Sequence, residues 1–177
     1  ALEDAINAGK WVRILTGVYL YLTEPAALRL FLRLQELEAS PKPEVRVYES
    51  KGQSFHPKAY LFLKMNHTQI MDGCAFVGSS NLSQSALCDG VEWNIRVDMH
   101  ENPSRFTLLC TAFEEIFDAP QTRPLTEEWI QDYLIRRPQI TSKKEVGIPD
   151  LTEPDDRELP SPTSVQEEAL VKLQEAR

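Results

Sequence analysis

Two short stretches hold the side chains that could do chemistry. The first, Ser-Phe-His-Pro-Lys-Ala-Tyr-Leu-Phe at 54–62, places an imidazole and an ammonium two residues apart. In an extended segment alternate side chains share a face, so His56, Lys58 and Tyr60 point one way and Phe55, Ala59 and Leu61 the other. His56 and Lys58 would then lie about 7 Å apart at Cα. That separation suits a nucleophilic imidazole and a cation converging on one phosphate. In the second stretch, Phe-Val-Gly-Ser-Ser-Asn-Leu-Ser at 76–83, Ser79 and Asn81 leave the end of an apolar run. Hydroxyl, amide and loop N–H groups can meet an anion there. Val-Glu-Trp-Asn-Ile-Arg-Val at 91–97 follows and adds Glu92.

A histidine alone in a strand is usually structural. Lys58 on the same face changes the reading, because a lysine drawn into a fold needs an anionic partner, and phosphate or carboxylate supplies it. His67 and His100 have no lysine at that spacing and read as solvated loop residues. Trp93 alternates with Glu92 and reads as core rather than as a platform for stacking bases. Arg136, Arg137, Lys143 and Lys144 form a loose basic cluster that reads as a solvated helix end, with nucleic-acid backbone contact as the alternative.

His56-x-Lys58, Gly78-Ser79-x-Asn81 and Glu92 together resemble the phospholipase D superfamily, most closely its metal-independent nucleases and restriction-type endonucleases. The pattern spans about residues 54–97. It departs from the full His-x-Lys-x(4)-Asp signature in one place, where Leu63 stands at the aspartate position. That departure, with the absence of an interfacial apolar helix, disfavours a lipid phosphodiesterase. The resemblance implies an α/β fold with a mixed central β-sheet flanked by helices, and hydrolysis of DNA phosphodiesters. It also implies roles. His56 attacks phosphorus to form a phosphohistidine, a second histidine protonates the leaving oxygen, and water reverses the step. Lys58, Ser79 and Asn81 hold the non-bridging oxygens, and Glu92 fixes the His56 tautomer. No metal or other cofactor is implied, since lysine brings the positive charge. The chain offers one His-x-Lys element, so the second histidine is expected from a second copy in a homodimer joined at the active-site face. A non-catalytic phosphate-binding module for nucleic acid is the rival reading.

The elements that must position these residues follow from periodicity. Ala1 to Lys10 reads as the last turns of a helix stopped by Gly9, in a chain expected to begin inside a larger protein after an earlier strand. Trp11–Leu22 contains a buried strand, and Thr23 caps a helix that begins near Pro25 and ends before Pro41. Val45–Tyr48 is a second strand, parallel to the first through a right-handed crossover. Gly52 turns the chain into a strand that carries His56 and runs to Met65, and 58–77 forms an irregular hairpin with turns at 66–68 and 72–73. Val91–Val97 is a strand with Val91, Trp93, Ile95 and Val97 on its apolar face. Helices follow at Pro103–Phe117 and from Thr126 to Arg137.

The net charge of −8 is unevenly placed: residues 1–144 carry −2 and residues 145–177 carry −6. The body is therefore compatible with a local basic patch. Residues 1–137 read as the nuclease-like domain and 138–163 as an acidic, Pro-rich linker. In 164–177, Ser164-Val-Gln-Glu-Glu-Ala-Leu-Val-Lys-Leu resumes a helical pattern. A proline, a glutamine a few residues on, then an amphipathic helix resembles the opening of a superfamily 2 helicase core. The expectation is a nuclease module covalently linked to a restriction- or repair-type helicase. Three cysteines without zinc-type spacing, and no membrane-length apolar run or signal peptide, point to a cytoplasmic protein that does not enter membranes.

Overall fold

The computed structural model describes residues 1–49, 54–83, 85–137, 167, 171 and 172. The turn at Gly52, the 138–163 linker and nearly all of 164–177 lie outside the described residues. The chain divides into two units, Ala1–Gln139 and Ile140–Arg177, and both sheets and the candidate site belong to the first.

Helix α1 (Leu2–Asn7) ends before Gly9, whose φ of 73° suits a residue without a Cβ. Strand β1 (Arg13–Gly17) is half-buried along its length, with Trp11 and Leu22 on either side of it exposed. Helix α2 (Pro25–Glu36) starts with its proline in the first turn. Thr23 does not cap it. Glu24 holds the cap position, and the Thr23 hydroxyl donates instead to the Gly17 carbonyl, tying the start of α2 to the end of β1.

Strand β2 (Glu44–Tyr48) runs parallel to β1 in register Arg13 to Glu44 through Gly17 to Tyr48. A short strand unmarked in the sequence, β6 (Thr122–Pro124), pairs antiparallel to the other side of β2. It follows helix α3 (Pro103–Phe117) and precedes helix α4 (Glu127–Arg136). The Thr126 hydroxyl caps α4 by accepting from Trp129 N at 3.1 Å.

Alternation on β2 makes the layers. Val45 and Val47 are fully buried against Leu28 of α2, Leu125, and Ile130 and Tyr133 of α4. Arg46, pointing the other way, bonds the Phe117 carbonyl and Asp118 and lies over the Phe117 ring at the end of α3. Likewise Ile14 of β1 packs on the first core while Arg13 pairs with Glu114 of α3. This sheet thus has α2 and α4 on one face and α3 on the other.

Among the described residues, the single mixed central sheet expected from the sequence is instead two three-stranded sheets: β1-β2-β6, and β3-β4-β5. The second is wholly antiparallel. It joins β3 (Ala59–Asn66), β4 (Gln69–Gly78) and β5 (Asn94–Asp98). The hairpin reads as expected from 58 to 77, with a register shift at Lys64–Met65 and a tip at His67, where φ is 54°. Asp72 and Gly73 are not a turn; they continue β4. Gly73 is required there because a Cβ would meet the Phe106 ring of α3 and the Phe62 carbonyl. Helix α3 accordingly packs on β2, β4 and β5, touching both sheets.

Candidate functional site

The strand expected to carry His56 begins later than expected, at Ala59. His56 and Lys58 lie in the approach to it, outside the ladder, although the Lys58 carbonyl already accepts from Gly78 N at 3.1 Å. Pro57 between them can donate to no ladder, which is the physical reason for the late start. Across the hairpin, Gly78 ends β4 against β5. A Cβ at Gly78 would overlap the Trp93 carbonyl oxygen and Asn94, so this glycine sets how closely the Ser79 loop and the Glu92 segment approach. Gly78→Ala should cost about 1–3 kcal/mol through that backbone clash, measured as a lowered urea midpoint.

From Gly78 the chain enters a knot of hydrogen bonds. Ser79 N donates to the Trp93 carbonyl at 2.9 Å, and Trp93 N donates to Ser79 Oγ at 3.0 Å. Ser79 Oγ in turn donates to the Glu92 carboxylate. Ser80 is buried, and its hydroxyl accepts from Asn94 Nδ2 at 2.7 Å while its carbonyl accepts from the Tyr60 hydroxyl at 3.0 Å. Burial raises the Tyr60 phenol above its ordinary pKa, and the Glu92 carboxylate pushes the same way. Tyr60 is therefore a fixed donor holding the 79–81 loop against β3.

His56, Lys58 and Asn81 come together at a cleft of about 600 Å³, which Tyr60, Leu82 and Ser83 also border. Lys58 Nζ donates to the His56 carbonyl at 3.1 Å, and the Tyr19 ring meets the His56 imidazole edge to face at 5.4 Å. Ser79 and Glu92 sit beside this group, bonded to each other. The Glu92 carboxylate expected to fix the His56 tautomer accepts from Ser79 Oγ instead. His56, Ser79 and Asn81 are exposed, and Lys58 and Glu92 half-buried.

Several residues went unnoticed in the sequence. Tyr19 falls just past β1 in a single 3₁₀ turn (Tyr19–Tyr21) that breaks the apolar run to Leu22. Ser80 and Asn94 are anchors that only the paired loops define. Trp93 overturns the reading of it as core: it is 84% exposed, with Val91 at 96% and Ile95 at 71%. The strand starts only at Asn94, and α3 covers the sheet near Gly73 rather than at this end.

The other candidates behave simply. His67 is exposed at its turn; His100 is exposed with Nε2 3.3 Å from Asp72. In the basic cluster, Arg136 bonds Glu49 at 3.2 Å and Arg137 bonds Glu24 at 2.8 Å. The hydrogen bond from Arg137 holds the Glu24 carboxyl below its usual pKa. These two charges close the helix end, while Lys143 and Lys144 lie outside the described residues. Among the described residues, no group of three or more His, Cys, Asp or Glu side chains is placed to hold a metal ion, and no helix is long and apolar enough to cross a membrane.

No family model matches the chain, and no curated protein matches its sequence.

Proposed function

We propose that this chain is a phospholipase D-like, metal-independent phosphodiesterase that cleaves DNA through a phosphohistidine, as the nuclease module of a restriction- or repair-type helicase. The observation that carries the reading is the meeting of His56, Lys58 and Asn81 at one cleft, with Ser79 and Glu92 hydrogen-bonded beside them. The His56 imidazole forms a bond to phosphorus as the bond to the leaving sugar oxygen breaks, and that oxygen takes a proton from a second histidine. Water then cleaves the phosphorus–nitrogen bond and His56 is regenerated.

An arriving phosphate explains how the present hydrogen bonds would rearrange. Lys58 Nζ exchanges the His56 carbonyl for a charged oxygen, a stronger acceptor. The Ser79 hydroxyl turns to the same phosphate, which frees Glu92 to accept from the imidazole and stabilise its cationic state. The second histidine comes from a second copy across a two-fold axis. Val91, Trp93 and Ile95, an exposed apolar ridge flanking Glu92, supply a surface for that contact.

The test is incubation of the chain with labelled DNA in excess EDTA. Cleavage is expected to persist, and activity restored only by Mg²⁺ or Mn²⁺ would overturn the mechanism. A second reading, a module that binds nucleic-acid phosphate without turnover, is favoured by the engagement of Lys58 and Glu92 with protein groups. Retention of DNA without cleavage under either condition would select it.

A further inference from the structure

Ser80 stands between the two loop residues proposed to hold phosphate, and it is packed differently from either. It is 3% exposed, whereas Ser79 and Asn81 are open to solvent. Its hydroxyl accepts from Asn94 Nδ2 at 2.7 Å and its carbonyl from the Tyr60 hydroxyl at 3.0 Å. The two donors come from the two strands that flank β4, Tyr60 from β3 and Asn94 from β5. Each also follows a candidate site residue by two positions, Tyr60 after Lys58 and Asn94 after Glu92. Gly78 completes the arrangement. Asn94 is its partner in register, and the Asn94 amide oxygen occupies the space that a Gly78 Cβ would need. The lack of a side chain there lets the Asn94 amide lie across the end of β4 and reach Ser80.

We infer that Asn94 and Tyr60 are positioning residues of the phosphate site: they pin Ser80 from both sides and thereby set Ser79 and Asn81 between Lys58 and Glu92. Exposed loop side chains get little geometry from packing, so it must come from a neighbouring anchor. Ser79 has its own bonds to Trp93 as a second tie. Asn81 lies one residue beyond the clamp and takes its position from Ser80. Asn94 and Tyr60 have no role toward the reacting atoms; both act through Ser80. A loosened Asn81 can still meet a phosphate that is already bound. It is no longer held where charge develops as the phosphorus–oxygen bond breaks, and there a fixed donor has its largest effect.

The clamp lies wholly within the β3-β4-β5 sheet and the loop that leaves β4. Its role rests on the reading of Lys58, Ser79 and Asn81 as a phosphate site; its effect on rate rests also on the nuclease reading.

The test compares the whole chain with Asn94→Ala, Ser80→Ala, Tyr60→Phe and the Ser80→Ala/Asn94→Ala double variant. Inorganic phosphate is titrated against the Ser79 and Asn81 amide resonances, and labelled DNA is cut in EDTA at single turnover. Urea midpoints show that each variant is folded under the assay conditions. Each single variant is expected to bind phosphate about tenfold more weakly. At saturating DNA, Asn94→Ala is expected to cut about 10–10²-fold more slowly. The half-saturating DNA concentration should change by less than about threefold, because DNA is also held elsewhere along its backbone. Ser80→Ala and Asn94→Ala remove the same bond, so the double variant should lose no more than the larger single loss, within about twofold. A chain that binds phosphate but leaves DNA uncut fails the nuclease reading alone, and the clamp is then judged on phosphate affinity. Three outcomes would overturn the clamp: no phosphate binding by the wild-type chain, wild-type phosphate affinity in Asn94→Ala, or losses that multiply in the double variant.

Discussion

His56→Ala is expected to abolish DNA cleavage in EDTA while leaving the fold intact. Its imidazole is exposed, its backbone lies outside the β3 ladder, and its ring contact is the edge of Tyr19. Removing it deletes the proposed nucleophile and leaves the buried core undisturbed. Lys58→Ala should lower the rate by about 10²–10³, the usual cost of one positioned donor where charge develops, and should also weaken phosphate binding. Glu92→Gln is expected to slow turnover with the fold retained, because Gln can still accept from Ser79 but cannot support a cationic imidazole. Single-turnover rates on labelled DNA, with far-ultraviolet circular dichroism as the folding control, measure all three. A His56→Ala protein that cuts at the wild-type rate, with contaminating nuclease excluded, would assign the chain to the binding-module reading.

A mixed dimer of one wild-type and one His56→Ala chain is expected to be nearly inactive, well below half the wild-type rate. The proposed mechanism uses one histidine to attack and another to protonate, and each chain brings one His-x-Lys element. If both histidines serve one phosphate, the mixed dimer has lost either its nucleophile or its general acid. Losing the acid alone costs about 10²–10⁴. The species is isolated by tagging the two chains differently and purifying through both tags. A mixed dimer with half the wild-type rate, or a monomer cleaving at full rate, would show that each chain carries a complete site. Trp93→Asp tests the contact itself. At 84% exposure the indole makes little of the monomer's core, so a charge there should shift the assembly to monomer in sedimentation without unfolding it.

What the sequence made readable was the part written in local periodicity. Helix α3 spans Pro103–Phe117 as expected, α4 is capped by Thr126, and β2 alternates Val45 and Val47 inward. The parallel β1–β2 pair followed from the helix between them. β6 escaped notice because three residues containing a proline carry no strand pattern; β2 recruits them through Arg46, Val47 and Tyr48. The division into two sheets was equally hidden, since it depends on which strands fail to meet. At the site, residue types and spacing located His56, Lys58 and Asn81 at one cleft. Alternation misjudged Val91–Ile95, because an apolar stripe says that a face is to be covered and not whether this chain covers it.

Helix α3 gives the unit a mechanical property. One of its ends holds the first sheet through Phe117 and Arg46, and its other end holds the second through Phe106 and Gly73. The two sheets are thus two leaves on one spine, and they cannot swing apart or melt independently without stripping a phenylalanine from that helix. Heat should take both leaves in a single transition, with calorimetric and van't Hoff enthalpies in agreement. Phe106→Ala should lower that transition by about 3–5 kcal/mol of stability. It would also let go of the leaf that carries Ser79 while the other keeps its grip through Phe117.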